Sequence, residues 1–481
     1  MRRGVRAAGR LGNFAISLLV ASGLNAGVTV APVAAAGGIS SISNANAFTR
    51  VSTSQYVLPD SDGVTWFDLD TSVLKFTISP TVDSAAILGG NADLWTTDAG
   101  YNQDLGISVN NSLVAWKESG GFAGAFSPNA AYVESIYPMT VGSTYIVSLR
   151  WKTNKPALGK TIVAGAGSGS SHSPTRLTAR LVPAAGLYSI TSRVITSQLV
   201  LAGSNGSAWQ DMDPTLAIPF RPTVNGTAIL SANADLWTST AGYNQDVGIN
   251  VNGGIAGWKE SGGFAGTFSP NAAYLQTVYQ SMTANTTYTV KLQWKSNKPS
   301  PATAKIWAGA GPIAGQYSPT SLTLYFIPGG VQTAWSTQQY SSSSNGALWN
   351  RVDPEPTIQN RLQTQLFVAS NCLYLVSANV DLWTSKAGYN QDIGISVSGG
   401  NYPTVAGQPE GWKESGGFAG TLSPNAAYVE TIIALTPGPP TYVITLTWKA
   451  NKPATGATIW SGAGPINGEY SPTRLTLLPL C

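Results

Sequence analysis

The sequence predicts an all-β protein: three tandem β-sandwich domains of jelly-roll-like type, placed after an N-terminal signal peptide. Three observations carry that expectation. Apolar residues recur with a period of two; Gly and Pro (52 and 29 of 481 residues) punctuate them as turns; and one long set of motifs appears three times.

The N-terminus comes first. "MRRGVRAAGR" is basic, and a charge-free apolar stretch follows it, ending in the small residues Ala34, Ala35 and Ala36. That is the pattern of a secretory signal. Residues 1–36 are read as the signal peptide and residues 37–46 as a linker; an uncleaved anchor is the rival, weakened by Asn25 and Pro32. Either way the rest of the chain is expected to be secreted. Four of the 27 Lys and Arg lie in the signal (Arg2, Arg3, Arg6, Arg10), which leaves 23 bases against 23 acids. A balanced mature chain offers no electrostatic attraction for nucleic acid. No later apolar run is long enough to span a bilayer as a helix.

The modules come next. "NADLW" starts at Asn91 and Asn233, and "NVDLW" at Asn379. "AGYNQD" ends at Asp104, Asp246 and Asp392, and "WKESGGFAG" starts at Trp116, Trp258 and Trp412. "SPNAAY" follows at Ser127, Ser269 and Ser423, then "WKTNKP", "WKSNKP" and "WKANKP" from Trp151, Trp294 and Trp448. Repeats this long are domains, not solenoid units. Their expected bounds are 47–183, 190–328 and 334–481.

Within a module the pattern is that of half-buried strands. Tyr288, Val290, Leu292 and Trp294 alternate with Thr289, Lys291 and Gln293. Trp151, Trp294 and Trp448 are in phase with such apolar neighbours and are assigned to the core. The strand "TYTVKLQW", the turn "KSNKP" and the closing strand "SLTLYFIP" resemble C1q/TNF-like jelly rolls of bacterial and phage surface proteins, over the second half of each module. The resemblance implies trimer-forming recognition modules, with three copies in one chain standing in for three subunits.

Tandem copies supply an internal control for function. The single histidine, His172, is replaced by Tyr317 and Tyr470, so no shared His-based catalysis is expected. "DSDG" (Asp60–Gly63) becomes "GSNG" and "SSNG", which favours a turn over a calcium loop. No catalytic residue, metal or cofactor is expected. Cys372 and Cys481 both belong to the third module and are expected to form a disulfide outside the cytoplasm.

What recurs is a set of aromatics, amides and carboxylates. The ligand-binding candidates are Tyr101, Asn102, Gln103, Asp104, Trp116 and Glu118 in the first module. Their copies are Tyr243, Asn244, Gln245, Asp246, Trp258 and Glu260, then Tyr389, Asn390, Gln391, Asp392, Trp412 and Glu414. A flat ring can carry the apolar side of a sugar while the polar groups fix its hydroxyls, and three weak linked sites reinforce one another. The competing reading makes Trp116 a core plug, Lys117 and Glu118 a surface pair, and "SGG" a turn that needs positive φ. Lys152, Lys155 and their copies are expected at solvated strand ends. Asp104 to Trp116 and Asp246 to Trp258 each span 12 residues, but Asp392 to Trp412 spans 20. The insertion places the motif beside an exposed loop.

The expected function is that of a secreted, non-enzymatic protein recognising extracellular or cell-surface glycan. One alternative is a structural protein of a cell-surface or spore-coat layer, acting through protein–protein contacts. Another is a glycoside hydrolase on paired acids such as Asp104 and Glu118, which must stand roughly 5 to 9.5 Å apart.

Overall fold

Alternating apolar side chains need a second layer to cover them, and here each module supplies both layers itself. The structure is a computed structural model, and it describes residues 33–34, 39–43, 46–120, 124–167, 172–262, 267–355, 360–399, 408–416, 421, 423–437 and 441–480. Among these residues every regular element is a strand, and the strands form three pairs of sheets. The all-β, three-sandwich expectation holds. The bulk of the predicted signal and linker, most of the third-module insertion and Cys481 lie outside the described residues. Val33–Ala34 and Ile39–Ser43 are described, and they pair with Tyr56–Pro59 and Ala47–Ser52.

The second module shows the plan. One sheet runs Ser189–Ile195, Thr320–Pro328, Gly226–Thr238, Lys305–Ala308, Leu199–Ala202, with Asn271–Met282 also paired to Gly226–Thr238. The other runs Gln210–Asp211, Tyr288–Ser296, Gln245–Val251, Gly254–Ser261, with Ala217–Phe220 also paired to Tyr288–Ser296. All these ladders are antiparallel. The phase read from the sequence is the phase observed: Val290, Leu292 and Trp294 are buried against Leu230, Leu322 and Leu324 of the facing sheet. Trp151, Trp294 and Trp448 are core residues, as expected.

The three sandwiches do not behave as beads on a string. They form one compact unit in which Asn129–Met139, Asn271–Met282 and Asn425–Leu435 meet along a common axis. Tyr132, Tyr274 and Tyr428, one from each strand, are buried on that axis with ring centroids 4.4, 4.5 and 4.5 Å apart. Nearby, Asn129 donates to Asn271 (3.4 Å), Asn271 to Asn425 (3.3 Å) and Asn425 to Asn129 (3.3 Å). Such a cycle exists only if the copies are arranged as a pseudo-threefold ring. One aromatic per copy meets its two counterparts in ring contact on the axis, beside a small cavity of about 40 Å³ whose lining includes Glu134, Gln276 and Glu430.

Candidate functional site

The repeated "WKE" tripeptide does three jobs at each module boundary. Trp116 ends on the next module, where its Cη2 lies 2.9 Å from the position a Cβ on Gly311 would take. Trp258 approaches Gly464 in the same way (2.8 Å), and Trp412 approaches Gly167 (3.0 Å). Glycine is required there, both for the close ring and for φ near +95 to +99°. The Nζ of Lys117, Lys259 and Lys413 donates to the backbone oxygen of Pro319, Pro472 and Pro174, again on the neighbour. The backbone N–H of Glu118 donates to Asp235 Oδ2 (2.9 Å), that of Glu260 to Asp381 (3.0 Å), and that of Glu414 to Asp93 (2.9 Å). Module 1 thus clasps module 2, module 2 clasps module 3, and module 3 closes on module 1.

The glutamate side chains turn back into their own modules. Glu118 Oε1 accepts from Asn102 Nδ2 and Asn154 Nδ2, both at 3.0 Å. Directly across the ladder from Glu118, Asp104 is bound by Lys152 Nζ at 2.5 Å, and Asp246 and Asp392 are bound by Lys295 and Lys449. Gln103 Nε2 holds the carbonyls of Trp95 and Val163. Each interface therefore buries three carboxyls (Asp104, Glu118, Asp235) against two ammonium groups (Lys117, Lys152). Burial pushes the Glu118 carboxyl well above its usual range, and the neighbouring Asp104 charge adds to this. Burial also raises Asp104, against the pull of Lys152, and lowers Lys117 to about 8. The other two interfaces repeat these shifts. A site with one carboxyl too many resolves the excess by keeping a proton on it.

This burial corrects several expectations. Trp116 and Trp258 are 5% and 6% exposed and Trp412 is half-buried, so these rings do not form an open platform for a sugar. Asn102, Gln103, Asp104 and Glu118, with Asn244, Gln245, Asp246, Glu260, Asn390, Gln391, Asp392 and Glu414, are buried inside the ring as well. Besides Trp412, Tyr101, Tyr243 and Tyr389 keep a partly exposed ring, with Lys155, Lys298 and Lys452 stacked over them at 4.8 to 5.0 Å. Lys117 and Glu118 are not a surface pair, because they point into different modules. Lys152 is not solvated; it is the buried partner of Asp104, whereas Lys155 is exposed. The physical reason is common to all of them. Trp116, Lys117 and the Glu118 N–H meet partners on the next module, while Asn102, Gln103, Asp104, Lys152 and the Glu118 carboxyl bond within their own, and no pattern along one module registers that junction.

The two turn expectations hold. The "DSDG" segment is a turn in which Asp62 Oδ1 accepts from Val64 N (2.8 Å) and Thr65 N (2.7 Å); Asn205 and Asn345 do the same in the other copies. Gly120, Gly262 and Gly416 of the nonapeptide have φ of +95 to +101°. Cys372 is buried at the start of Cys372–Thr384, and its expected partner Cys481 lies outside the described residues. Among the described residues no cluster of three or more His, Cys, Asp or Glu is placed to hold a metal. Nor, among them, is any helix long and apolar enough to cross a membrane.

The surface aromatics lie elsewhere, at positions the sequence reading passed over. Trp237 and Trp307 face each other across adjacent strands, stacked at 4.9 Å and 3°. Phe268 leans on Trp237 at 5.5 Å and is 54% exposed. Module 1 has Trp95 with Phe126 (5.5 Å, 52% exposed), and module 3 has the stacked pair Trp383 and Trp460. Phe126 and Phe268 hold φ of +54 and +55°, where a bulky side chain is strained. Their signal in the sequence is the Trp of "NADLW" and the Phe of "AFSP" and "TFSP", each at a fixed place in its copy.

No protein-family model and no curated protein matches this chain. Among solved structures, the infectious bursal disease virus VP2 subviral particle aligns at 8% identity over 93% of this chain and 80% of that one, with a TM-score of 0.22. A score that low carries no argument about shared architecture or role.

Proposed function

We propose that this chain is a secreted, non-enzymatic binding protein that presents a ring of three sandwiches to extracellular glycan. The observation that carries the reading is the aromatic ledge repeated in each module: Trp95 with Phe126, Trp237 with Trp307 and Phe268, Trp383 with Trp460. Phe126 and Phe268 lean on Trp95 and Trp237 yet stay half exposed in a strained backbone conformation, and strain of that kind collects where a surface meets a ligand. Ring faces of this kind suit the apolar side of a sugar, and three ledges on one rigid body reinforce one another along a polymer. The resemblance to trimer-forming C1q/TNF-like modules fits three modules around one axis. Against a glycoside hydrolase stands the placement of the paired acids. Asp104 and Glu118 are 1% and 5% exposed, closed off from any substrate by the neighbouring module.

The test is retention on insoluble polysaccharides and a glycan array. Trp307→Val and Trp460→Val introduce the residue module 1 already carries at that position (Val163), and Phe126→Ser with Phe268→Ser removes exposed rings; neither change disturbs the core. Retention should fall by about tenfold or more for the combined variant, because losing each ledge also removes its share of avidity. Absence of retention for the unmodified protein on every glycan, together with self-association into arrays, would favour the surface-layer alternative.

A further inference from the structure

The triplicated residues serve closure, so a ligand-selective feature has to be sought where the copies differ. The outer face of the Tyr288–Ser296 sheet is such a place. Each copy carries a half-buried Trp there (Trp66, Trp209, Trp349), lying against a strand glycine (Gly106, Gly248, Gly394). A Cβ on Gly248 would fall 2.8 Å from the Trp209 ring, whose atoms are its nearest neighbours. In module 1, Leu113 shares the glycine floor (2.6 Å), and in module 3, Pro409 does (2.8 Å).

The polar rim differs as well. In module 1, Arg150 bridges Asp68 (Nε to Oδ1, 2.8 Å) and Asn111 (Nη2 to Oδ1, 2.9 Å), closing a clasp over the face. Module 2 has Gln293 and Gly253 at those two positions, and the clasp is absent. What remains is an open groove of about 330 Å³ lined by Trp209, Asn252, Gly253, Ile255, Lys291 and Gln293. Asp211 orders its floor, accepting from Lys291 Nζ (2.7 Å) and Gln293 Nε2 (2.6 Å). Asn252 engages its carbonyl with Thr289 N (2.7 Å) and offers its NH₂.

We infer that this groove on module 2 is a subsite for a single neutral pyranose. The inference rests on the glycan reading above and adds where one sugar unit is selected. Trp209 provides the face for the C–H side of the ring. Gln293 Oε1 accepts from one hydroxyl of a vicinal pair, while Lys291 and Asn252 donate to the next. The ion pair leaves the groove without net charge, which disfavours uronates, phosphates and aminosugars. The volume is at the small end for ligand pockets and suits one ring rather than an oligosaccharide.

The experiment is saturation-transfer NMR and calorimetry with a panel of methyl hexopyranosides. The unmodified protein should bind at least one with a Kd on the order of 1 mM, as expected of a few hydroxyl contacts that compete with water. The double variant Gly253→Asn/Gln293→Arg rebuilds the module 1 clasp from residues that fold there already, and it should weaken that binding about tenfold or more. The reciprocal Asn111→Gly/Arg150→Gln, with its fold checked by melting temperature, should open a second site and double the stoichiometry. Equal affinity in the clasped variant, or no saturable binding by the unmodified protein, overturns the groove. Polymer retention measured in parallel keeps the two proposals apart: retained polymer without glycoside binding removes the groove alone, and glycoside binding without retention removes the ledges alone.

Discussion

Two of the three module boundaries are crossed by the chain and one is not. The boundaries between modules 1 and 2 and between modules 2 and 3 have the shorter task, since the peptide already holds the partners at high effective concentration. The boundary from module 3 back to module 1 must close on contacts alone, and its polar contacts are different. Asn233 Oδ1 accepts Glu134 N (3.1 Å) and Asn379 Oδ1 accepts Gln276 N (2.9 Å), but Asn91 Oδ1 meets no donor among the described residues. Ser231 and Ser377 donate to Glu134 and Gln276 (both 2.8 Å). Gly89 takes their place at the closure, where a Cβ would lie 2.4 Å from Tyr132 Oη. Glu430 is held by Thr178 instead (2.9 Å), and Arg176 adds a bond to Thr431 (3.2 Å). Identical motif letters therefore sit in different environments, and the closure is the boundary where opening should start.

The largest effect expected is that of pH, because it acts on all three boundaries together. Glu118 has an ordinary value of 4.5 and a native value near 8, with Glu260 and Glu414 alike. Between those values the native state binds more protons than the unfolded chain, so stability is full below about pH 4.5 and is lost as pH rises towards 8. The lysines run the other way. Lys117, Lys259 and Lys413 fall to about 8 from 10.5, so the unfolded chain binds more protons between pH 8 and 10.5 and stability recovers part of the loss there. A melting-temperature profile should fall from pH 5 to 8 and then recover part of the loss at higher pH. The triple variant Glu118→Gln/Glu260→Gln/Glu414→Gln should remove most of the slope. A profile that climbs from pH 5 to 8 would contradict the buried-proton account. Hydrogen exchange near pH 8 should show protection lost at Tyr428 and Asn91 before Tyr274 and Asn379.

A second, smaller effect separates the boundaries directly. Lys413→Met leaves Asp93 buried without its cation, and Lys259→Met does the same to Asp381. Each should cost about 3–5 kcal/mol at neutral pH, since an uncompensated charge is left inside. The shapes should diverge. Small-angle scattering should report an expanded, opened ring for Lys413→Met and a near-native radius for Lys259→Met, whose modules stay tethered. Equal radii would mean that the linkers contribute nothing to closure.

Much of the sandwich was legible, and the interface was not. The alternation Tyr288, Val290, Leu292, Trp294 is a local signal, set by which face of one strand meets its own core, and the structure keeps its phase. Trp116 and Asp104 had no such signal. Their burial is imposed by Gly311, Asp235 and Pro319, which are roughly 130 to 200 residues away and belong to another copy. Triplication itself pointed to importance without saying what kind, since a clasp between copies repeats as faithfully as a binding site would. The glycines of "GAG" carried the missing clue: a glycine with positive φ in every copy marks a close approach, and here the approaching group is the Trp of the preceding module.

That clue yields the smallest and sharpest contrast. Gly311, Gly464 and Gly167 share the same backbone strain, with φ of +99, +99 and +95°. A methyl group added at each meets a different degree of crowding. At Gly311 and Gly464 it would lie 2.9 and 2.8 Å from a buried Trp Cη2 and 3.2 Å from the backbone N of Ile313 or Ile466. At Gly167 the contact among the described residues is Trp412 at 3.0 Å, a ring that is half-buried where Trp116 and Trp258 are buried. Gly311→Ala and Gly464→Ala should each cost about 2–3 kcal/mol, the sum of strain and overpacking, and Gly167→Ala about 1 kcal/mol, close to strain alone. Denaturant midpoints at constant slope give the comparison. If the three variants lose the same stability, the closure boundary is as tightly packed as the other two, and its rebuilt polar contacts compensate for the missing peptide link without loosening the ring.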